Sequence, residues 1–148
     1  MISRPKAGEA KSIQELINLY TNNGLLPLSL HEIYEKIRDF FIYKIESKIV
    51  GAASLHIIWE DLAEFRSLAV HANYRHQGIG KALVMSALDE ARDLQLKKVF
   101  LLTNQKEYFK KMGFQLIDKS ELPHKVWSDC IKCIKFPDCD EVAMILEF

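Results

Sequence analysis

The chain has 148 residues, of which 49% are apolar and 27% charged, and these values are typical of one globular domain spanning residues 1–148. Its 20 basic residues balance its 20 acidic residues, which argues against bulk binding to nucleic acid or to an anionic membrane, because that affinity depends on accumulated positive charge. No apolar run approaches the roughly 20 residues that cross a bilayer, and the N-terminus has no apolar signal core. We therefore expect a cytoplasmic protein.

Hydrophobic periodicity predicts strands alternating with helices. The first part of the chain predicts a short strand, two helices and a hairpin, at 2–4, 13–20, 29–40 and 41–58. Ser29 and Glu32 form a capping box at the start of the second helix, and Gly24 ends the first. The remaining predicted elements alternate in the same way, with strands at 62–70, 99–103, 114–117 and 142–147 and helices at 78–94 and 107–112.

These elements predict an α/β (α+β) fold with a mixed central sheet of about six to seven strands and helices on both faces. Gly113 follows the helix at 107–112 as its left-handed cap. The segment at about 121–140 has weak periodicity and two prolines, so we expect an irregular excursion there.

A loop with two glycines joins the strand at 62–70 to the helix at 78–94. Glycines let a ligand approach the backbone closely, and the first amides of a helix attract anions. Arg75 adds a guanidinium at the rim. The pattern predicts a phosphate or pyrophosphate site, and an ordinary loop is the alternative. A dinucleotide fingerprint would need a third glycine where Leu83 stands, and no Walker loop is present.

The sequence around this loop resembles that of the GNAT N-acetyltransferases. The residues that carry the resemblance are Leu68-Ala69-Val70, Arg75-x-x-Gly78-x-Gly80 and the block from Tyr108 to Gly113-Phe114. Segments at 24–27, 63–70, 101–103 and 122–123 are similar to those of short N-acetylglutamate-synthase-like amino-acid N-acetyltransferases. The resemblance implies a GNAT fold, a splayed strand pair that binds acetyl-CoA as cosubstrate, and no metal.

The resemblance also implies which residues bind the coenzyme. Backbone groups on the motif strand would pair with pantetheine, and the loop would hold the pyrophosphate. Two further side chains, after the strand at 99–103 and in the helix at 107–112, would line the coenzyme. The coenzyme-binding residues predicted in this way are Leu68, Ala69, Val70, Arg75, His76, Gln77, Gly78, Ile79, Gly80, Lys81, Asn104 and Phe109.

Acetyl transfer needs a neutral amine, a polarised thioester carbonyl and a thiolate that can leave. The resemblance implies Glu64 as the general base, and strand alternation predicts that Glu64 shares a face with Arg66, Leu68 and Val70. The alternative for Glu64 is a surface glutamate or one that is salt-bridged to Arg66. Tyr108 and Ser67 are the candidate proton donors, and the alternative for Tyr108 is a packing role.

The acceptor predicted by the resemblance is a small-molecule primary amine, glutamate-like, attacked directly in a ternary complex, with arginine biosynthesis as the pathway. Arg66 would hold a substrate carboxylate, unless it pairs with Glu64 or is exposed to solvent. Leu28 stands near the position where synthases carry a basic substrate-binding residue. A catalytically weakened acetyl-CoA-binding module is the alternative function.

Three cysteines lie close together, at Cys130, Cys133 and Cys139. One interpretation is a metal site completed by His124 or Asp140. The other, which we favour, is a set of reduced thiols that pack a loop or line the contact of a homodimer.

Overall fold

A computed structural model describes residues 1–21, 25, 27–122 and 141–148. In chain order its regular elements are β1 (Ile2–Ser3), α1 (Ala10–Asn18), α2 (Leu30–Glu35), β2 (Phe40–Ile45), β3 (Lys48–Trp59), β4 (Leu62–Val70), α3 (Ile79–Asp93), β5 (Lys98–Thr103), α4 (Lys106–Lys110), β6 (Gln115–Ile117) and β7 (Val142–Glu147). Short 3-10 turns connect several of them. Gly24, most of the excursion and all three cysteines lie outside the described residues.

The described strands form one seven-stranded sheet in the order β1-β2-β3-β4-β5-β7-β6. Neighbouring strands run antiparallel except at the centre, where β4 and β5 are parallel. The predicted mixed sheet is therefore confirmed.

Helices cover both faces of this sheet. On one face α3 buries Leu83, Ala87 and Ala91 against the strands, and the core continues under α4. On the other face α1 and α2 bury a second core that includes Ile13 and Ile33. Within the described ranges, no helix is both long and apolar enough to cross a membrane.

Local sequence signals account for several boundaries. The Ser29 hydroxyl accepts a hydrogen bond from the Glu32 amide at 3.1 Å, and the Glu32 carboxylate accepts one from the Ser29 amide at 3.2 Å, so the predicted capping box is confirmed. Gly113 follows α4 with φ +100°, a conformation that glycine adopts without strain. The β2–β3 turn is tighter than predicted, because Glu46 and Ser47 both have positive φ and Lys48 already belongs to β3.

Candidate active site

The two central strands, β4 and β5, pair with each other only over the first three residues of each. β4 and β5 pair at Leu62–Lys98, Ala63–Val99 and Glu64–Phe100, and their pairing stops there. β5 stays paired with β7 as far as Thr103, and β4 stays paired with β3 as far as Val70, so the sheet opens between β4 and β5. The part of β4 after Glu64 therefore presents a strand edge to an open gap. This is the splayed pair that the sequence resemblance implies.

A bulge in β4 coincides with this parting. Ala52 and Ser54 of β3 face Ala69 and Arg66, so β4 holds one residue more than its partner over the same length. Ser67 accommodates the extra residue with φ +60°, which is unusual for a residue other than glycine.

The bulge changes which residues share a face, and here the alternation prediction is wrong. Phe65 and Leu68 both pack in the core under α3, although they lie three residues apart, whereas Ala69 packs in the core of α1 and α2. By alternation from Phe65, the Glu64 and Arg66 side chains lie on the α1–α2 face. Leu68 and Val70 lie on the α3 face instead. The extra residue at the bulge is the physical reason.

The predicted anion loop lies at the end of β4. His76 has φ +63° and Gly78 has φ +79°, and Gly78 immediately precedes α3. A Cβ at Gly78 would meet no protein atom within 4 Å, so the space beside its backbone is open. Left-handed residues in such a loop turn successive amides towards one side, which suits an anion.

The side chains of the loop point in different directions. His76, Gln77 and Lys81 are exposed, while Ile79 is buried in the core and can offer a ligand only its backbone. Arg75 turns back towards β4, where its Nε donates to the Val70 carbonyl at 3.4 Å.

The Val70 carbonyl has a second donor, the Tyr20 hydroxyl, at 2.9 Å. The Arg75 guanidinium lies 4.9 Å from the centroid of the Tyr20 ring. Tyr20 therefore fixes the end of β4 from the α1 side, a contact that no local sequence signal predicts.

Tyr108 and Phe109 occupy different environments although they are adjacent. The Tyr108 hydroxyl lies so near Gly80 that a Cβ built there would approach it to 2.6 Å, so this hydroxyl sits at the first turn of α3. Burial raises the pKa of Tyr108, which keeps its proton on the oxygen near neutral pH. Phe109 is 5% exposed and packs edge-on against Phe65 and Phe114.

Glu64 and Arg66 form a buried pair on the α1–α2 face. Their closest atoms, Glu64 Oε1 and Arg66 Nη1, are 3.6 Å apart, and their side chains are only 7% and 13% exposed. The pairing named as the alternative is thus present in the structure. A carboxylate in this position is held close to a cation and away from bulk water.

A histidine that the sequence analysis did not single out lies opposite Glu64. His56 of β3 faces Glu64 across the ladder and is 7% exposed. Its Nδ1 lies 3.2 Å from Asp39 Oδ2, and its Nε2 lies 2.9 Å from the hydroxyl of Ser54. Burial lowers the pKa of His56. Its period-two spacing from Ser54 was the available signal, but the contact with Asp39 arises only from the fold.

Two other predicted residues lie apart from this cluster. Leu28 is 9% exposed in the core of α1 and α2, and its carbonyl accepts a hydrogen bond from the Gln14 amide. Asn104 is exposed just beyond β5, at the edge of the gap.

Two surface clefts elsewhere contain none of the predicted catalytic residues. A cleft of about 460 Å³ lies beside the β3–β4 turn, and one of about 650 Å³ lies between α1 and the β2–β3 hairpin. In the part of the chain that the structure describes, no three His, Cys, Asp or Glu side chains are grouped so that they could hold a metal ion.

Comparison with known proteins finds a family and several relatives with similar sequences. The model of the acetyltransferase (GNAT) family matches residues 10–114. An uncharacterized N-acetyltransferase of Chlorobaculum tepidum is 35% identical over 97% of this chain and 94% of its own. An amino-acid acetyltransferase of Mycobacterium tuberculosis is 33% identical over 87% of this chain and 76% of its own. The amino-acid acetyltransferase of Pseudomonas aeruginosa is 36% identical over 74% of this chain, but the match spans only 26% of that longer protein.

Solved structures give the same result. A Mycobacterium tuberculosis protein crystallised in complex with CoA superposes with a TM-score of 0.85 at 30% identity, over 100% of this chain and 99% of its own. The N-acetylglutamate synthase of Neisseria gonorrhoeae, complexed with coenzyme A and N-acetyl-glutamate, superposes with a TM-score of 0.88 at 26% identity, over 99% of this chain and 34% of its own. Family match, identity and fold agree, and the chain belongs to the GNAT family of acetyltransferases.

Proposed function

We propose that this acyltransferase moves the acetyl group of acetyl-CoA to the α-amino group of a small amino acid, by direct attack in a ternary complex. The observation that carries the proposal is the parting of β4 from β5 immediately after Glu64, which opens a gap beside a buried carboxylate. Two relatives are named amino-acid acetyltransferases, which supports the acceptor class. The whole chain would act as one domain.

The residues present fit a coenzyme in this gap. The edge of β4 around Leu68 and Val70 can pair with an extended pantetheine arm where β4 no longer pairs with β5. The open backbone at Gly78 and the amides of Ile79 and Gly80 fit the pyrophosphate. Acetyl-CoA supplies an acetyl group activated by a thiolate that leaves readily.

Glu64 is the proposed base. An α-amino group has a pKa of about 8, so deprotonating it near neutral pH costs only about 1.4 kcal/mol per pH unit. A carboxylate held beside Arg66 can accept that proton directly or through one water. Arg66 beside it carries a planar guanidinium with five N–H donors, a group that can bind a substrate carboxylate.

Fixed donors would stabilise the charge that develops during transfer. A backbone amide of β4 next to the Ser67 bulge is the proposed donor to the thioester oxygen, because the bulge lies where β4 and β5 no longer pair. The Tyr108 hydroxyl, which burial keeps protonated, is the proposed donor to the departing sulfur. Ser67 lines the site, whereas the buried ring of Phe109 supports Tyr108 from the core.

Thiol release from acetyl-CoA across amino acids, polyamines and peptides tests this function. We expect turnover with free amino acids, and a product that carries one acetyl group on its α-nitrogen. Turnover with polyamines or peptides alone would contradict the acceptor class. CoA binding without turnover on any amine would favour the coenzyme-binding module instead.

A further inference from the structure

We propose that Asp39, His56 and Ser54 are positioning residues of the transfer reaction, which act by holding the carbonyl of Arg66 next to the β4 bulge. The Ser54 hydroxyl lies 3.1 Å from that carbonyl oxygen and 2.9 Å from His56 Nε2. His56 Nδ1 in turn lies 3.2 Å from the Asp39 carboxylate. The three side chains thus form one line of contacts that ends on the backbone of the site.

The protons in this line can be counted. The Arg66 carbonyl can only accept, so the single hydroxyl proton of Ser54 must be the one it receives. Ser54 therefore has no proton left for His56, and Nε2 must donate to the Ser54 oxygen. The Asp39 carboxylate also accepts, so Nδ1 must donate as well. All three contacts are satisfied together only when His56 carries both ring protons.

Loss of one proton forces one contact to change. The neutral ring keeps its remaining proton on Nδ1, because an unprotonated nitrogen would be repelled by the Asp39 carboxylate. The hydrogen bond from Nδ1 to Asp39 is therefore kept. Nε2 is then an acceptor, and the Ser54 hydroxyl turns to it and releases the Arg66 carbonyl. The hydroxyl of Ser54 therefore has two donor positions, and the proton on His56 selects between them.

Opposing charges surround this histidine. Burial disfavours the charged ring of His56, as do two cations, Arg66 of β4 and Lys36 at the end of α2. Asp39, in the turn before β2, favours the charged ring. Glu64 faces His56 across the β3–β4 ladder. Ser54 is fully buried, so water does not readily replace a lost contact.

The released carbonyl matters because of its place in β4. Arg66 precedes Ser67, whose left-handed conformation forms the bulge in the part of β4 that no longer pairs with β5. Arg66 also carries the guanidinium paired with Glu64. The catalytic half of this inference rests on the proposed acetyl transfer, whereas the hydrogen-bond line can be tested without any substrate.

Nuclear magnetic resonance on the free protein tests the line directly. The measured signals are the imidazole of His56, the carbonyl carbon of Arg66 and the amide nitrogen of Ser67, followed as pH is varied. We expect all three to change with one shared midpoint, below the ordinary histidine value of about 6.5. An Arg66 carbonyl signal that shows no step at the His56 midpoint would overturn the proposal.

Three substitutions test the two donor positions of the Ser54 hydroxyl. His56→Gln places an amide donor where Nε2 lies and should keep the Arg66 carbonyl held, with no step on titration. His56→Asn leaves no acceptor where Nε2 lay, so the Ser54 hydroxyl should likewise stay on that carbonyl at every pH. Ser54→Ala removes the hydroxyl and should leave the carbonyl released at every pH. Identical Arg66 signals in Ser54→Ala and His56→Gln, or a step that persists in either His56 variant, would contradict the assignment. Either His56 variant serves for the comparison with Ser54→Ala if the other fails to fold.

Kinetics then test the link to catalysis. Below the His56 midpoint, where wild type holds the carbonyl, we expect Ser54→Ala to lower kcat about five- to tenfold, the effect of one hydrogen bond, and both His56 variants to stay within about threefold of wild type. Above the midpoint, where wild type releases the carbonyl, Ser54→Ala should match wild type and the two His56 variants should be faster. His31→Gln, at an exposed histidine paired with Glu35, is the control and should change nothing. Equal kcat in all four variants, with the expected resonance shifts, would overturn the positioning role while leaving the hydrogen-bond line intact.

Discussion

Adding one methyl group at Gly80 tests where the Tyr108 hydroxyl lies. A Cβ at this position would approach Tyr108 Oη to 2.6 Å, whereas Tyr108 Cζ would be 3.6 Å away and Val70 Cγ2 3.9 Å. Only the first of these distances is a clash, and it involves the end of a side chain that can swing away. In Gly80→Ala we therefore expect Tyr108 to leave the first turn of α3.

The effect on stability can be worked out from the same contacts. Alanine at a helical position is favoured over glycine by about 0.5–1 kcal/mol. Displacing the half-buried Tyr108 side chain costs on the order of 1 kcal/mol, so Gly80→Ala alone should leave the free energy of unfolding nearly unchanged. In a Tyr108→Phe background the clash is gone, and the same change should stabilise the protein by about 0.5–1 kcal/mol. Urea denaturation of the four proteins measures this coupling.

Turnover should follow the position of the hydroxyl. Tyr108→Phe should lower kcat about 10²-fold, the low end for a proton donor, because a thiol with a pKa of about 8.5 is already a good leaving group. The kcat of Gly80→Ala should fall to a similar value, and the kcat of the double variant should be no lower. Full activity in Gly80→Ala, or additive losses in the double variant, would refute the placement of Tyr108 at the thiolate. CoA affinity, measured by calorimetry in all four proteins, shows whether the methyl group blocks the coenzyme instead.

Two further predictions concern the coenzyme loop and the cysteines. Gly78→Val should abolish micromolar CoA binding, because φ at this residue is +79° and its open side is the proposed pyrophosphate site; Gly8→Val, at an equally open glycine without positive φ, is the control. Unchanged affinity in Gly78→Val by calorimetry would contradict the loop assignment. Replacing Cys130, Cys133 and Cys139 by serine should leave CoA affinity within a few-fold, and about one zinc per chain in metal analysis would show that a metal site was missed.

Most of the fold could be predicted because its signals are local. The strand at 62–70 and the strand at 142–147 have the predicted bounds, and the helix predicted at 78–94 is α3 within a residue at each end. In each case a glycine or a change of hydrophobic period marks the boundary. The first helix ends two residues earlier than predicted, since α1 ends at Asn18, where no sequence signal stands out.

The candidate site was predictable in its backbone but not in its side chains. The glycine loop and the parting strands follow from a family pattern, whereas the bulge rests on Ser67, a residue type that gives no hint of positive φ. Without that bulge, alternation places Leu68 on the wrong face. The contact between Asp39 and His56 joins a turn to a distant strand, and no spacing in the sequence encodes it.

The pH dependence of turnover in Glu64→Gln tests the central claim most directly. This variant keeps the shape of the side chain and removes its basicity, so turnover should fall about 10²- to 10³-fold near neutral pH with CoA affinity barely changed. The loss should shrink as pH rises past about 8, because more of the acceptor amine is then already neutral. If wild type and Glu64→Gln give the same pH–rate profile, Glu64 is not the base and the buried pair with Arg66 is only structural.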